Sequence, residues 1–153
     1  DGRNFARYPL AVEEIVAVEP EPRLRALAEH APGDRVRLLD GTAEALPLGD
    51  GEADAVVMSL VLCTVPDQGA ALAEARRVLR PGGELRFYEH VVGHGARRAV
   101  QRALDATVYP PLAGGCHLSR DTLAAIAGAG FTVGAVERFT FNGLPHVLGT
   151  ATR

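Results

Sequence analysis

Residues 53–62 constrain the fold more than any other stretch of this chain. Val56, Val57 and Met58, then Leu60, Val61 and Leu62, follow one another with a single serine between them. A strand that is apolar on both faces is stable only within a sheet covered on both sides. In practice that means a largely parallel sheet flanked by helices. The run is far shorter than the roughly 18 apolar residues that a bilayer-spanning helix needs, and no other run is longer.

The remaining segments fit such a sheet. Ile15-Val16-Ala17-Val18 is a short β-branched run, ended by Glu19-Pro20-Glu21-Pro22. Residues 23–30 carry Leu24, Leu27 and Ala28 at helical spacing, with Pro32-Gly33 as the stop. Residues 35–39 alternate, which predicts a strand nearer a sheet edge. Residues 41–51 form a loop broken by Pro47, Gly49 and Gly51. A helix is predicted over 68–79, with Leu72, Ala75 and Leu79 on one face, ending in a tight turn at Arg80-Pro81-Gly82-Gly83. A strand follows over 84–92. A helix spans 96 to about 108 and stops at Pro110-Pro111. Ser119 is the expected N-cap of a helix over 120–129, with Gly130 just past its end. Strands over 131–141 and 146–152, joined by Asn142-Gly143-Leu144-Pro145, close the chain as an antiparallel hairpin.

This order predicts one α/β domain over 1–153: a Rossmann-like, mostly parallel sheet with helices on both faces and an antiparallel C-terminal hairpin. Composition narrows the function. The formal net charge is −3, so no basic surplus exists to neutralise phosphates, and no nucleic-acid partner is expected. Cys63 and Cys116 make no CxxC pair and no disulfide framework, so a reducing, cytoplasmic setting is expected. The first residues show no basic region followed by an apolar one, so no signal peptide is expected.

Three places carry chemistry. Glu19 follows a buried strand, where doubly wound folds place a carboxylate that accepts from a ribose diol. By itself it suits a nicotinamide cofactor as well as other nucleosides. Gly2 precedes it by 17 positions, the interval expected after a glycine-rich loop. Asp40-Gly41-Thr42-Ala43-Glu44-Ala45-Leu46-Pro47 lies at the next strand end, placed to run across a base with Thr42 and the Ala43 N–H. Leu79-Arg80-Pro81-Gly82-Gly83 precedes a strand further on.

Together, Val18-Glu19, Gly41 to Pro47 and Leu79 to Gly83 resemble the class I S-adenosylmethionine-dependent methyltransferases. The similarity runs from Gly2 to the C-terminus. Within that superfamily the chain resembles the methyltransferase type 11 group. More narrowly, it resembles the methyltransferase-like thiol methyltransferases. That narrower match rests on Gly2-Arg3-Asn4-Phe5 with Tyr8-Pro9, on Leu60-Val61-Leu62-Cys63-Thr64-Val65 and on Glu89-His90-Val91. Gln101-Arg102-Ala103-Leu104-Asp105 and Gly115-Cys116-His117-Leu118-Ser119-Arg120 extend it.

The resemblance implies S-adenosylmethionine as cofactor and a small, apolar methyl acceptor, a thiol among the candidates. It places Gly2 against the methionine part, Glu19 with Pro20 at the ribose, Thr42 and Ala43 at the adenine, and Ser59 with Leu60 near the methionyl end. Many relatives have an aspartate where Thr42 stands; Thr42 accepts without the charge. The resemblance also puts a first strand and most of a glycine loop upstream of Gly2, at the sheet centre. The expectation is therefore a chain truncated at its N-terminus, with further residues supplying that strand. Without it the chain is expected to bind cofactor weakly, because orphaned backbone groups cost about 1–3 kcal/mol each. The alternatives are a non-catalytic methyltransferase-like domain and a nicotinamide-dependent oxidoreductase.

Glu89 and His90 fall at the carboxyl end of a strand, where open α/β sheets bind ligands. They are the candidate catalytic groups, with His90 as base or acceptor-orienting residue. Cys116 and His117, after a Gly-Gly pair, and Tyr109 are the candidate acceptor-pocket residues. Cys63, in an apolar run, reads as a small core residue. No pair among Cys63, His90, His94, Cys116 and His117 has a diagnostic ligand spacing, so no metal site is expected. Val100, Leu104 and Val108 stripe the 96–108 helix beside Arg97, Arg98 and Arg102. Core or lid packing is the first reading, and peripheral membrane contact the alternative.

Overall fold

The computed structural model describes residues 2–31 and 33–153. The proposed helix stop at Pro32 lies outside the described residues. Among the described residues, after a 3-10 turn at Phe5–Arg7, six strands and five α-helices follow in the order β1 (Ile15–Val18), α1 (Pro22–Glu29), β2 (Val36–Leu39), β3 (Ala53–Ser59), α2 (Gln68–Val78) and β4 (Leu79–His90). Then come α3 (Ala96–Asp105), α4 (Tyr109–Leu112), α5 (Thr122–Gly128), β5 (Thr132–Phe141) and β6 (Leu144–Thr152).

The strands form two ladders. β1 pairs β2 in parallel, and the other sheet has the order β3-β4-β6-β5. There β3 and β4 are parallel, while β6 is antiparallel to both β4 and β5. The closing hairpin is thus present, with β6 inserted between β4 and β5. Among the described residues no ladder joins β1 to β3.

The core lies on one face of the larger sheet. Leu85, Phe87, Val147 and Ala151 from the strands meet Leu72 and Ala75 of α2 and Ile126 of α5. Aromatic and branched side chains at alternate strand positions supply this contact, as a pleated sheet requires. The opposite face is open in part: Val57 and Leu148 are each 48% exposed. They line a cleft of about 330 Å³ with Tyr88, Arg86 and the Asn4 to Pro9 segment. α1 buries only Ala28; Leu24 and Leu27, expected on an inner face, are exposed.

Several boundaries move for local reasons. α2 ends at Val78, and β4 starts at Leu79 instead of 84, because Leu79 already pairs Ala53 before a register shift. Gly82, with φ +75, turns the chain within that irregular start. The 96–108 helix is cut at Asp105, and Pro110 and Pro111 begin a separate short turn of helix, α4. Ser119 does not cap α5. Asp121 does, accepting from Ala124 N–H at 3.2 Å. Ser119 instead donates both its N–H and its hydroxyl to Asp105.

Candidate active site

The carboxyl ends of β1 and β2 are held together by one side chain. Arg25, from α1, donates to the Glu19 carbonyl at 2.7 Å, to the Pro20 carbonyl at 3.4 Å and to Asp40 Oδ1 at 2.9 Å. This brings Glu19 and Pro20 beside the loop that starts at Asp40. Glu19 is half-buried, and its Oε1 accepts from Glu21 N–H at 3.0 Å. A carboxylate has lone pairs to spare beyond that one bond, so Glu19 can still accept from a sugar diol.

The next loop returns over β1. A Cβ on Gly41 would lie 3.1 Å from Val18 Cγ1 and 2.9 Å from Pro47 Cδ, so only glycine allows this approach. Thr42 is exposed and bridges Ala45, while Ala43 packs against the main core. Gly2 has φ +73, and a Cβ there would meet Ala31 Cβ at 2.4 Å. The positive φ and the close approach of Ala31 together favour glycine at that position.

The exit of β3 is a second built structure. Ser59 and Leu60 are exposed, and Leu60 takes φ +56, a conformation rare for a branched side chain. Its N–H donates to the Tyr88 carbonyl at 2.7 Å. The next three N–H groups point at one carboxylate. Val61 and Leu62 donate to Glu89 Oε1 at 2.9 and 3.0 Å, and Cys63 donates to Oε2 at 3.1 Å. Glu89 is fully buried. Burial pushes its carboxyl up to about 8, against the pull of these backbone donors toward the charged form. Glu89, expected among the catalytic groups, is enclosed, and both its oxygens are engaged by backbone N–H groups of the 60–63 turn.

Other side chains lash the same turn to the segment after α4. Gln68 donates to the Leu62 carbonyl and to Thr122 Oγ1, both at 3.2 Å. Arg120 donates to the Leu62 carbonyl at 2.6 Å. His117 N–H donates to the Cys63 carbonyl at 2.7 Å. Asp105 anchors the far side by accepting from Leu118 and Ser119 N–H at 2.8 and 2.7 Å. Burial would raise the Asp105 carboxyl, but the Ser119 hydroxyl and these N–H groups outweigh it and hold the carboxyl low.

This lashing places Cys63, His90 and Cys116 together. One ligating atom of each lies within 4.8 Å of the others, and His90 Nδ1 is 3.2 Å from Cys116 Sγ. Cys63 and Cys116 are both buried and free of disulfide. The hydrogen bond between the thiols, first, and burial push Cys63 up; the same bond holds Cys116 below the usual thiol range. His90 is half-buried, and burial lowers its pKa, so the imidazole is neutral near pH 7. Burial raises the Tyr109 phenol. Of the expected acceptor-pocket residues, Cys116 gathers with His90. His117 meets the cluster through its backbone.

Sequence reasoning gave no role to Arg25, Asp105, Gln68 or Arg120, although Asp105 and Arg120 fall in the matched motifs. Their partners lie 5 to 58 positions away. Cys63 is a small buried residue as expected, but its neighbour across 53 positions escaped the reading.

A mixed sheet with an inserted antiparallel strand, a carboxylate at the first strand tip and a rigid turn at the third together define an S-adenosylmethionine-dependent methyltransferase. The family model described as a methyltransferase domain, of the type 11 group, matches residues 1–87, and the chain belongs to this family. It is 35% identical to the thiol S-methyltransferase TMT1B of Mus musculus over 165 aligned residues, covering 99% of this chain and 67% of that protein. It is 33% identical to the human thiol S-methyltransferase TMT1A, covering 86% of this chain and 56% of that one. The crystal structure of a SAM-dependent methyltransferase from Thermotoga maritima superposes with a TM-score of 0.67 at 25% identity, covering 88% of this chain and 71% of that one. These matches decide between the cofactors that Glu19 alone left open. The cofactor is S-adenosylmethionine, not a nicotinamide.

Proposed function

We propose that this methyltransferase transfers its methyl group to the sulfur of a small thiol. Two of the relatives above bear the name thiol S-methyltransferase, and the chemistry of the site is consistent with that acceptor. The observation that carries the reading is the state of Glu89. The carboxylate nearest the β3 and β4 tips is enclosed and bonded to backbone, so it offers no base to the acceptor. An alcohol would need such a base. A thiol, with a pKa near 8.5, is partly ionised at neutral pH without one.

When bound, S-adenosylmethionine supplies a methyl already activated by the positive sulfur. Glu19 and Pro20 would hold its ribose, Thr42 and Ala43 its adenine, and Gly2, Ser59 and Leu60 its methionyl end. The protein's remaining task is alignment, which can contribute about 7–11 kcal/mol toward a displacement of this kind. The 60–63 turn, locked by Glu89, gives that alignment a rigid base. His90, neutral and half-buried at the same strand end, orients the acceptor.

The test is methyl transfer from labelled S-adenosylmethionine to alkyl thiols, phenols, quinone precursors and amines in parallel. Turnover of thiols above all other classes is expected. Preferential methylation of a phenol or amine would sink the thiol assignment and leave the methyltransferase class intact.

A further inference from the structure

We infer that Cys63, His90 and Cys116 form a zinc site with one open position, and that this position receives the acceptor sulfur. The second clause rests on the thiol reading above; metal binding itself does not. The three residues come from separate parts of the fold: the β3 exit, the end of β4 and the segment after α4. They nonetheless present two sulfurs and one imidazole nitrogen within 4.8 Å of one another. Two thiolates and an imidazole are a set that zinc favours over hard cations such as magnesium or calcium.

The spacing suits a tetrahedral ion. With Zn–S near 2.3 Å and Zn–N near 2.0 Å, two ligands on one zinc stand about 3.5–3.8 Å apart. His90 Nδ1 and Cys116 Sγ are already 3.2 Å apart, so a small rotation of either side chain suffices. Two thiolates also cancel the charge of the ion, which lets it sit in a largely buried place. Three protein ligands leave a fourth position, the pattern of catalytic rather than structural zinc.

The backbone around the ligands is pre-set. Cys63 is held through its N–H by Glu89 and through its carbonyl by His117. Cys116 N–H is bound to the Ala113 carbonyl at 3.2 Å, just after Gly115 at φ +89. The site stands three residues beyond Leu60, on the turn assigned to the methionyl end of the cofactor. An acceptor thiol that enters the fourth position exchanges its S–H proton to water as the S–Zn bond forms. No oxidant or reductant is involved. His90 then orients the acceptor through the ion and is not the base.

The experiment is titration of the reduced, metal-free protein with Co²⁺, read by absorption. A thiolate-to-cobalt charge-transfer band that saturates at one equivalent and is displaced by zinc is expected. Cys63→Ser and Cys116→Ser should each weaken that band, and His90→Gln should keep it while altering the ligand-field bands. Circular dichroism confirms that each variant is folded. Absence of the band in the parent protein, or its persistence unchanged in Cys63→Ser, overturns the site; so does a Cys63–Cys116 disulfide forming in place of metal binding. Adding an alkyl thiol should shift the cobalt spectrum, and adding a phenol should not. Full thiol methylation by metal-free protein overturns the role of the open position. Loss of thiol methylation from the zinc-loaded protein, with the cobalt site intact, instead overturns the thiol reading and leaves the metal site standing.

Discussion

Glu89 Oε2 and the backbone N–H of Cys63 are 3.1 Å apart, joined across 26 positions of sequence. With the bonds from Val61 and Leu62 to Oε1, one side chain at the end of β4 determines the shape of the turn after β3. Glu89→Gln replaces one accepting oxygen with an NH₂ group facing an N–H. Orphaning a buried donor costs about 1–3 kcal/mol. The expected result is a loss of stability in that range by urea denaturation, together with a raised KM for the acceptor.

Asp105 predicts how stability depends on acid. Its carboxyl is held low in the folded protein, so the unfolded chain binds the proton more readily. The stabilisation is complete above the unfolded value of about 3.8 and is lost as pH falls through the lower folded value. Glu74, held low by its hydrogen bond to Arg77, acts in the same direction. Asp105→Asn should destabilise the protein at pH 7 and converge on the parent only as pH falls through the lowered folded value. Thermal melts of parent and variant from pH 7 down through the acid range check this.

Glu19→Ala should weaken S-adenosylmethionine binding while leaving the fold largely intact. Hydrogen bonds to a charged group contribute about 1.5–3 kcal/mol. At roughly 1.4 kcal/mol per decade, affinity should fall by about ten- to a hundredfold. The melting temperature should change little, since the Glu19 side chain makes one local bond to Glu21 N–H. Isothermal titration alongside a melt separates the two effects.

Gly149→Ala tests the packing of β6. A Cβ there would stand 2.7 Å from the Ala135 carbonyl and 2.8 Å from Phe87 Cζ. Phe87 is buried in the core and Ala135 is backbone of the neighbouring strand, so neither yields easily. Overpacking of this kind costs about 1–3 kcal/mol. Chemical denaturation should show that loss, with the denaturant slope unchanged.

The sequence by itself determined the element order, the parallel pairing near β3 and the closing hairpin. Each of these follows from local patterns: the two-sided apolar run at 53–62, the Pro-Gly stops and the absence of a helix between the last two strands. The cofactor was implied by the family resemblance that Val18-Glu19, Gly41 to Pro47 and Leu79 to Gly83 carry, not by Glu19 alone. Only the tertiary structure decided what Glu89 does. Next to a histidine at a strand end, a glutamate reads as chemistry; full burial against three N–H groups makes it a brace. The same holds for the thiols. Cys63 and Cys116 lie 53 positions apart with no spacing signal, and their meeting depends on Arg120, His117 and Gln68 tying two loops together. Contacts of that range come from packing and hydrogen-bond satisfaction over the whole domain, which no local periodicity encodes.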